Sequence, residues 1–126
     1  MKQSEKNAPS EHWEQTMYFT ALRVLAIQDP EYGLIYAIPN GGLRNQIVGK
    51  KLKDEGVKPG VPDIFIPVAR IPYHGAYIEM KRNVKNPKLS PSQKKFIYRL
   101  REQGYFVAVC AGHIEALQKT VEYIKL

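Results

Sequence analysis

The sequence lacks several features that would assign it to a specialised class of protein. Its single cysteine, Cys110, excludes an internal disulfide framework and a zinc site built from several cysteines. No apolar run approaches the ~18 residues of a membrane-spanning helix. The polar N-terminus also has no apolar segment of the kind found in secretory signal peptides. We therefore expect a cytoplasmic protein with reduced thiols and no membrane partner.

Repeats, low-complexity tracts and linkers are also absent from the sequence, and the three histidines are scattered along it. The scatter argues against a histidine metal cluster. The length of 126 residues fits one domain, and a hydrophobic content of 44% can supply its core. We expect residues 1–9 to be a flexible lead-in and residues 10–126 to form a single domain.

Acidic residues are in the minority, with 12 Asp and Glu against 19 Lys and Arg and a formal net charge of +7. This excess favours a polyanionic partner, although a solvated basic surface has the same composition. Most of the basic residues between positions 50 and 101 form three clusters: Lys50, Lys51 and Lys53; Lys81, Arg82, Lys85 and Lys88; Lys94, Lys95, Arg99 and Arg101.

Hydrophobic periodicity and turn residues predict the order α-β-α-β-β-α-β-α. The elements are helix 10–28, strand 34–38, helix 43–55, strand 63–67, strand 76–82, helix 91–103, strand 105–110 and helix 113–123. The first helix has an apolar stripe of Met17, Ala21, Val24 and Leu25, and strand 34–38 is expected to be buried. Such an order predicts a small mixed sheet flanked by helices, with an antiparallel pair at its centre.

The central hairpin carries the residues with the clearest chemistry. Because side chains alternate along a strand, Glu79 and Lys81 share one face, and strand pairing can bring Asp63 beside them. Two carboxylates are suitable ligands for Mg²⁺, and a nearby lysine can position a water or offset phosphate charge during phosphodiester hydrolysis. On spacing alone, a solvated strand face with a weak ion pair is the better explanation of Glu-x-Lys. Pro62 at the strand start and the flanking basic clusters shift the balance towards the metal site.

Pro62-Asp63, sixteen residues before the Glu of Glu79-Met80-Lys81, resembles the motif of the PD-(D/E)xK nuclease superfamily. More specifically, the chain resembles the VRR-NUC (virus-type replication-repair nuclease) family over residues 10–125. This resemblance rests on six segments in order: 38–42, 52–63, 73–75, 78–81, 89–93 and 104–105.

The VRR-NUC resemblance implies a restriction-endonuclease-like fold and Mg²⁺- or Mn²⁺-dependent cleavage of branched DNA in DNA repair. Stand-alone phage and bacterial members look like homodimeric Holliday-junction resolvases, so the resemblance favours a homodimer. The alternatives are a non-catalytic DNA-binding or nuclease-accessory module, and a flap, nicking or restriction-type nuclease on the same fold.

By the same resemblance, Asp63 and Glu79 match the metal-binding carboxylates and Lys81 the catalytic lysine. The backbone carbonyl of Met80 would be a further metal ligand. Members of this fold also place a glutamate of the first helix at the metal, and Glu11 and Glu14 are both candidates, with a small preference for Glu11. Either glutamate would also be favourable in a first helical turn for structural reasons alone.

Gln93 matches the family pattern as a residue that can reach the active site. It also completes the capping box expected at Ser90-Pro91-Ser92-Gln93, which is an equally good explanation for it. The candidate DNA-contacting residues are Asn40, Arg44, Lys50, Lys51, Lys53 and Lys94. A tight turn around Asn40 and a solvated helix face for the basic residues are the structural alternatives.

Overall fold

The computed structural model describes residues 6–39 and 46–126, except for the side chains of residues 46–48. The helices are α1 (Glu11–Gln28), α2 (Gln46–Asp54), α3 (Pro91–Glu102) and α4 (His113–Ile124). The strands are β1 (Tyr36–Ala37), β2 (Ile64–Ile66), β3 (Ala76–Lys81) and β4 (Phe106–Ala111). The described helices include none with the length and apolar character needed to span a membrane. The predicted start of α2 at residues 43–45 lies outside the described residues.

The four strands form one mixed sheet in the order β1-β2-β3-β4. The β1–β2 and β2–β3 pairs are antiparallel and the β3–β4 pair is parallel. The parallel pair needs a crossover between its strands, and α3 provides it. A small mixed sheet flanked by helices is therefore confirmed, as is the antiparallel central hairpin.

The prediction for the first strand was wrong in length and in burial. Leu34 belongs to a short 3-10 helix over Pro30–Leu34, and β1 has only two residues, both exposed. The Asp29 side chain accepts a hydrogen bond from the backbone N–H of Glu31 at 3.1 Å and so caps this 3-10 helix. β1 also lies at the edge of the sheet, where a strand is not enclosed on both sides.

The buried face of α1 also differs from the predicted apolar stripe. Its buried residues are Glu14, Tyr18 and Leu22, which follow one another at four-residue spacing, whereas Val24 is 65% exposed. Tyr18 can be buried because its hydroxyl forms a 2.7 Å hydrogen bond with Thr120 of α4. The hydrogen bond to Thr120 therefore stabilises the packing of this face of α1 against the core.

The two faces of the sheet are covered unequally. One face is formed by Ile64, Ile66, Ile78, Met80 and Cys110, all buried in the main core with residues of α1 and α4. On the other face α3 packs against β4, where Ile97 and Val107 are buried. Asp63, Glu79 and Lys81 belong to this second face by strand alternation.

Gly60 fixes how closely the turn before Asp63 approaches α3. Its φ is +88°, and a Cβ at this position would lie 2.4 Å from the backbone oxygen of Ser92. Only glycine combines this conformation with this contact. The turn that leads into β2 is therefore held against the first turn of α3, which carries Gln93.

Candidate active site

Asp63 lies immediately before β2, beside the open end of the central hairpin. Its backbone carbonyl accepts a hydrogen bond from the N–H of Ile38 at 2.7 Å. Its carboxylate oxygen Oδ2 accepts from the backbone N–H of Met80 at 2.8 Å. The Asp63 carboxylate thus replaces a backbone acceptor in the hydrogen bonding between β2 and β3. This bond holds the carboxylate beside Glu79.

Glu79 is 2% exposed although it is an acidic residue. The pKa of Glu79 is raised to about 9, mainly by burial and also by the hydrogen bond and charge of Asp63, while the Lys81 ammonium opposes the change. The Glu79 carboxyl therefore keeps its proton at neutral pH. The oxygen Oε1 of Glu79 is buried without a hydrogen-bond partner among the described residues.

Lys81 and Gln93 meet on the same face of the sheet. The Nζ of Lys81 donates to the Oε1 of Gln93 at 3.1 Å. The same oxygen accepts from the backbone N–H of Ser90 at 2.8 Å, and Gln93 N–H donates to the Oγ of Ser90 at 3.2 Å. The capping box is confirmed, and Gln93 also contacts Lys81, so the two interpretations of this residue are compatible.

The backbone of Met80 contributes to the site while its side chain belongs to the core. The side chain is 1% exposed on the opposite face of the sheet. The N–H and C=O of one strand residue point to the same neighbouring strand, and the N–H of Met80 is bound by Asp63. The Met80 carbonyl is therefore directed to the side on which Asp63 lies.

The two glutamates of α1, Glu11 and Glu14, have different surroundings in the structure. Partial desolvation raises the pKa of Glu11, the Lys81 ammonium lowers it and the Asp63 carboxylate raises it. Glu11 also contributes to the raised pKa of Glu79. Glu11 therefore lies in the electrostatic field of all three hairpin residues.

Glu14 is instead directed to the start of α4. Its Oε1 accepts from the backbone N–H of His113 at 3.0 Å and lies 2.6 Å from the ring Nδ1 of the same residue. Gly112 precedes the helix with a φ of +87° and has no side chain with which to cap it. Glu14 supplies the missing cap at a helix end that favours negative charge. Nothing in the local sequence predicted this contact.

The Asp63 and Glu79 carboxylates have the oxygen ligands that a divalent cation prefers. No three His, Cys, Asp or Glu side chains within residues 6–39 and 46–126 are grouped closely enough to form a metal site by themselves. However, Glu79 has a buried oxygen that lacks a partner within this part of the chain, next to a second carboxylate. A hard cation with oxygen ligands would satisfy that oxygen and relieve the repulsion between the two acids. The residues present therefore fit Mg²⁺ or Mn²⁺.

A groove of about 890 Å³ leads away from this site between α1 and the edge of the sheet. Glu11 and Asp63 lie at one end, Arg23 and Tyr36 line it, and Tyr32 and Gly33 of the 3-10 helix lie at the other end. It was not predicted, because its two walls come from separate elements whose packing the local sequence does not specify.

The basic candidates on the helices are accessible. Lys50, Lys51 and Lys53 of α2 and Lys94 of α3 are all exposed, and Lys50 pairs with Asp54 at 3.1 Å on the surface. Such an exposed pair is weak and leaves Lys50 available to phosphate. Asn40 and Arg44, the other two candidates, lie outside the described residues.

The last residues of the predicted lead-in are attached to the site strand. The Arg82 guanidinium donates to the carbonyls of Ala8 at 2.9 Å and Pro9 at 3.3 Å. Because Arg82 directly follows Lys81 at the end of β3, these bonds help to hold the start of α1 near the hairpin.

A mixed sheet whose central hairpin carries Asp63, Glu79 and Lys81 has the arrangement expected of the PD-(D/E)xK nuclease class. The family model described as the VRR-NUC domain matches residues 2–114, so the chain belongs to the VRR-NUC family. A solved structure named "VRR_NUC domain protein" is 31% identical, with a TM-score of 0.77, and the match covers 95% of this chain and 92% of that chain. No functionally curated protein matches the chain significantly.

Proposed function

We propose that this protein is a metal-dependent endonuclease that hydrolyses phosphodiester bonds in branched DNA, with the four-way Holliday junction as its first candidate substrate. The observation that supports this most directly is the buried Glu79 carboxylate. Its Oε1 is unsatisfied within the described residues, it adjoins a second carboxylate, and it stands two residues from a lysine. A solvated strand face does not bury its acids in this way.

Asp63, Glu79, the Met80 carbonyl and Glu11 are the residues that would hold Mg²⁺ or Mn²⁺. When bound, such an ion stabilises charge on the phosphoryl oxygens and lowers the pKa of water. Glu79 must first release the proton that its raised pKa retains, because a carboxyl group has to be ionised to bind a cation. We assign the role of the α1 metal ligand to Glu11 and not to Glu14, because the Glu14 carboxylate already accepts a hydrogen bond from the N–H of His113.

Lys81 supplies the positive charge of the chain itself at the reacting phosphate. Its Nζ can donate hydrogen bonds to a phosphate oxygen or to the attacking water. Gln93 holds one side of that ammonium at 3.1 Å and thereby restricts its position. Gln93 is thus a positioning residue whose effect on the reaction passes through Lys81.

The exposed lysines of α2 and α3 are proposed to contact phosphates, together with Asn40 and Arg44 from the sequence analysis. Contacts to phosphate give affinity and register without reading base sequence, which suits a nuclease that recognises DNA shape. Binding should weaken steeply with salt because each neutralised phosphate releases counterions. A homodimer would present two such sites to the two symmetric strands of a junction.

The test is a panel of labelled four-way junctions, flaps, nicked duplexes and intact duplexes, incubated with Mg²⁺, Mn²⁺ or EDTA. We expect branched DNA to be cut only with metal, Asp63→Asn and Lys81→Ala to lose this cutting, and light scattering to give the mass of a dimer. Glu122→Gln is the matched control, because Glu122 is an exposed carboxylate of α4.

Cleavage by Asp63→Asn at the wild-type rate would rule out the proposed site. Tight junction binding without cleavage in any metal would favour the accessory-module alternative. Preferential cleavage of flaps or of one strand in a duplex would retain the nuclease and replace the junction as its substrate.

A further inference from the structure

Four aromatic side chains cross the sheet on the face that carries the candidate active site. They come from each of the first three strands and from the residue before β4: Tyr36, Phe65, Tyr77 and Tyr105. The ring centroids are 5.8 Å apart for Tyr36–Phe65, 4.7 Å for Phe65–Tyr77 and 5.4 Å for Tyr77–Tyr105. We call these four side chains the aromatic ladder.

The aromatic ladder begins next to the carboxylate pair. Phe65 stands two residues after Asp63 and Tyr77 two residues before Glu79. Since β2 and β3 are antiparallel, both steps run in the same direction, and two strand residues span about 6.6 Å. Nucleotides in a stacked strand are ~3.4 Å apart, so the ladder lies within one or two nucleotides of a phosphate held at Asp63 and Glu79.

The outer ring of the ladder is available to a ligand. Tyr36 is 52% exposed on the edge strand β1, and the other three rings are half-buried behind it. Burial raises the pKa of Tyr77, and the neighbouring Tyr105 and Tyr36 raise it further. The Tyr77 hydroxyl is therefore neutral at physiological pH and lies close to the hydroxyls of Tyr36 and Tyr105.

Packing explains part of the ladder but not its outer ring. A Cβ placed on Gly75 would lie 3.3 Å from the Phe65 ring, so Phe65 covers the exposed backbone of that glycine and stabilises the hairpin. Tyr36 covers no comparable gap, since half of its surface faces solvent. A large aromatic side chain that packs edge-on against the Phe65 ring and is left open to solvent is suited to stacking.

We propose that the aromatic ladder, with Tyr36 as its outer ring, stacks an unpaired nucleobase beside the phosphate that is cleaved at Asp63 and Glu79. This inference rests on the proposed function and narrows its substrate. Inside a duplex both faces of every base are occupied by neighbours, so only an unpaired base offers a free face to an aromatic ring. Branch points and flaps supply such bases, and intact duplexes do not.

The experiment measures binding, in a Lys81→Ala background that is not expected to cut. The DNA is a labelled four-way junction and a labelled flap in which each nucleotide near the branch is replaced in turn by an abasic site or by fluorescent 2-aminopurine. We expect one or two adjacent abasic sites to weaken binding by about fivefold to 150-fold, the range for losing one base–aromatic stack. The emission of 2-aminopurine at the same sites should change on binding.

Variants at one position separate stacking from folding. Tyr36→Leu should abolish the abasic penalty and the fluorescence change, whereas Tyr36→Phe should retain both because it keeps the ring. Ile71→Ala, which removes a 95% exposed apolar side chain in the hairpin loop between β2 and β3, should also retain both. Thermal unfolding confirms that each variant is folded.

The ladder proposal is overturned if no abasic site weakens binding, or if the penalty persists in Tyr36→Leu. Failure of the nuclease proposal would give a different result from failure of the ladder proposal. A protein that cuts no DNA but shows the Tyr36-dependent penalty supports the stacking site alone, whereas cleavage of branched DNA without any penalty refutes the ladder and leaves the nuclease in place.

Discussion

Glu14 and Glu79 are equally buried, at 2% exposure each, but their surroundings differ. The Glu14 carboxylate accepts from the N–H of His113 and adjoins its imidazole at the first turn of α4. The Glu79 carboxylate adjoins Asp63, and its Oε1 is unsatisfied by any described residue. The Glu14 carboxylate thus lies next to hydrogen-bond donors, whereas the Glu79 carboxylate lies next to a second acid.

The difference indicates what each residue is for. Burying a carboxylate is costly unless hydrogen bonds or opposite charges compensate, and the helix terminus at His113 gives that compensation to Glu14. Among the described residues, the charge of Lys81 favours ionised Glu79, but it does not prevent the pKa of Glu79 from rising to about 9. Such a group destabilises the isolated fold, and sites of this kind cluster where proteins bind ligands or react.

The largest expected contrast between the two acids is in DNA cleavage. Glu79→Gln should slow cleavage of the preferred branched DNA by about 1000-fold or more, since it would remove a carboxylate that we propose holds the metal ion at the reacting phosphate. Glu14→Gln should stay within about threefold of wild type, measured as initial rates at a temperature where both variants are folded. An equal loss in Glu14→Gln under these conditions would mean that Glu14, not Glu11, joins Asp63 and Glu79.

Metal binding should separate the acids next, and it can be measured without DNA. At a Mg²⁺ or Mn²⁺ concentration a hundred times its dissociation constant, wild type should gain about 2.7 kcal/mol of unfolding free energy, seen as a higher Tm. Asp63→Asn and Glu79→Gln should lose this gain. Glu11→Gln should need about tenfold more metal, and Glu14→Gln should respond as wild type does.

The intrinsic stabilities should change in opposite directions. In EDTA at neutral pH, Glu14→Gln should unfold at a lower temperature, with a loss of about 1–2 kcal/mol from its weakened bonds to His113. Glu79→Gln should unfold at a higher temperature, with a gain on the order of 1 kcal/mol, because glutamine needs no proton on folding. A destabilised Glu79→Gln would contradict the view that this acid is held at a cost.

The raised pKa of Glu79 also predicts how the unfolding free energy should change with pH. The pKa of Glu79 is about 9 in the folded protein against an ordinary value of 4.5. Between these pH values the folded state binds a proton that the unfolded state lacks, so unfolding free energy falls as pH rises. Wild type should show this decline from pH 5 to pH 9 in EDTA, and Glu79→Gln should show much less of it.

The sequence predicted the parts of the site that depend on local pattern. Asp63, Glu79 and Lys81 lie on a hairpin whose alternation and pairing were legible from residues 63–82, and the structure brings them together as expected. The capping box at Ser90 was equally local. These features depend on neighbours in sequence or on one strand pair.

The parts that were missed depend on distant partners. The contact between Glu14 and His113 joins residues 99 positions apart, so nothing near Glu14 distinguished a helix cap from a metal ligand. Tyr18 is buried because Thr120 lies across from it, which the apolar stripe of α1 does not reveal. Strand β1 was overextended because its apolar residues also suit the 3-10 helix that Asp29 caps.

The smallest expected effects concern Gln93 and Ser90, because one Gln93 oxygen contacts both the helix cap and the proposed catalytic lysine. The Oε1 of Gln93 accepts from Ser90 N–H and from Lys81 Nζ, whereas the Oγ of Ser90 accepts from Gln93 N–H and bonds to the Ser92 hydroxyl. Ser90→Ala should lower unfolding free energy by about 1 kcal/mol and leave cleavage unchanged. Gln93→Ala should lower stability by a similar amount and also slow cleavage by about tenfold, measured as kcat with saturating DNA. If both variants slow cleavage equally, the cap rather than the contact with Lys81 is what the reaction requires.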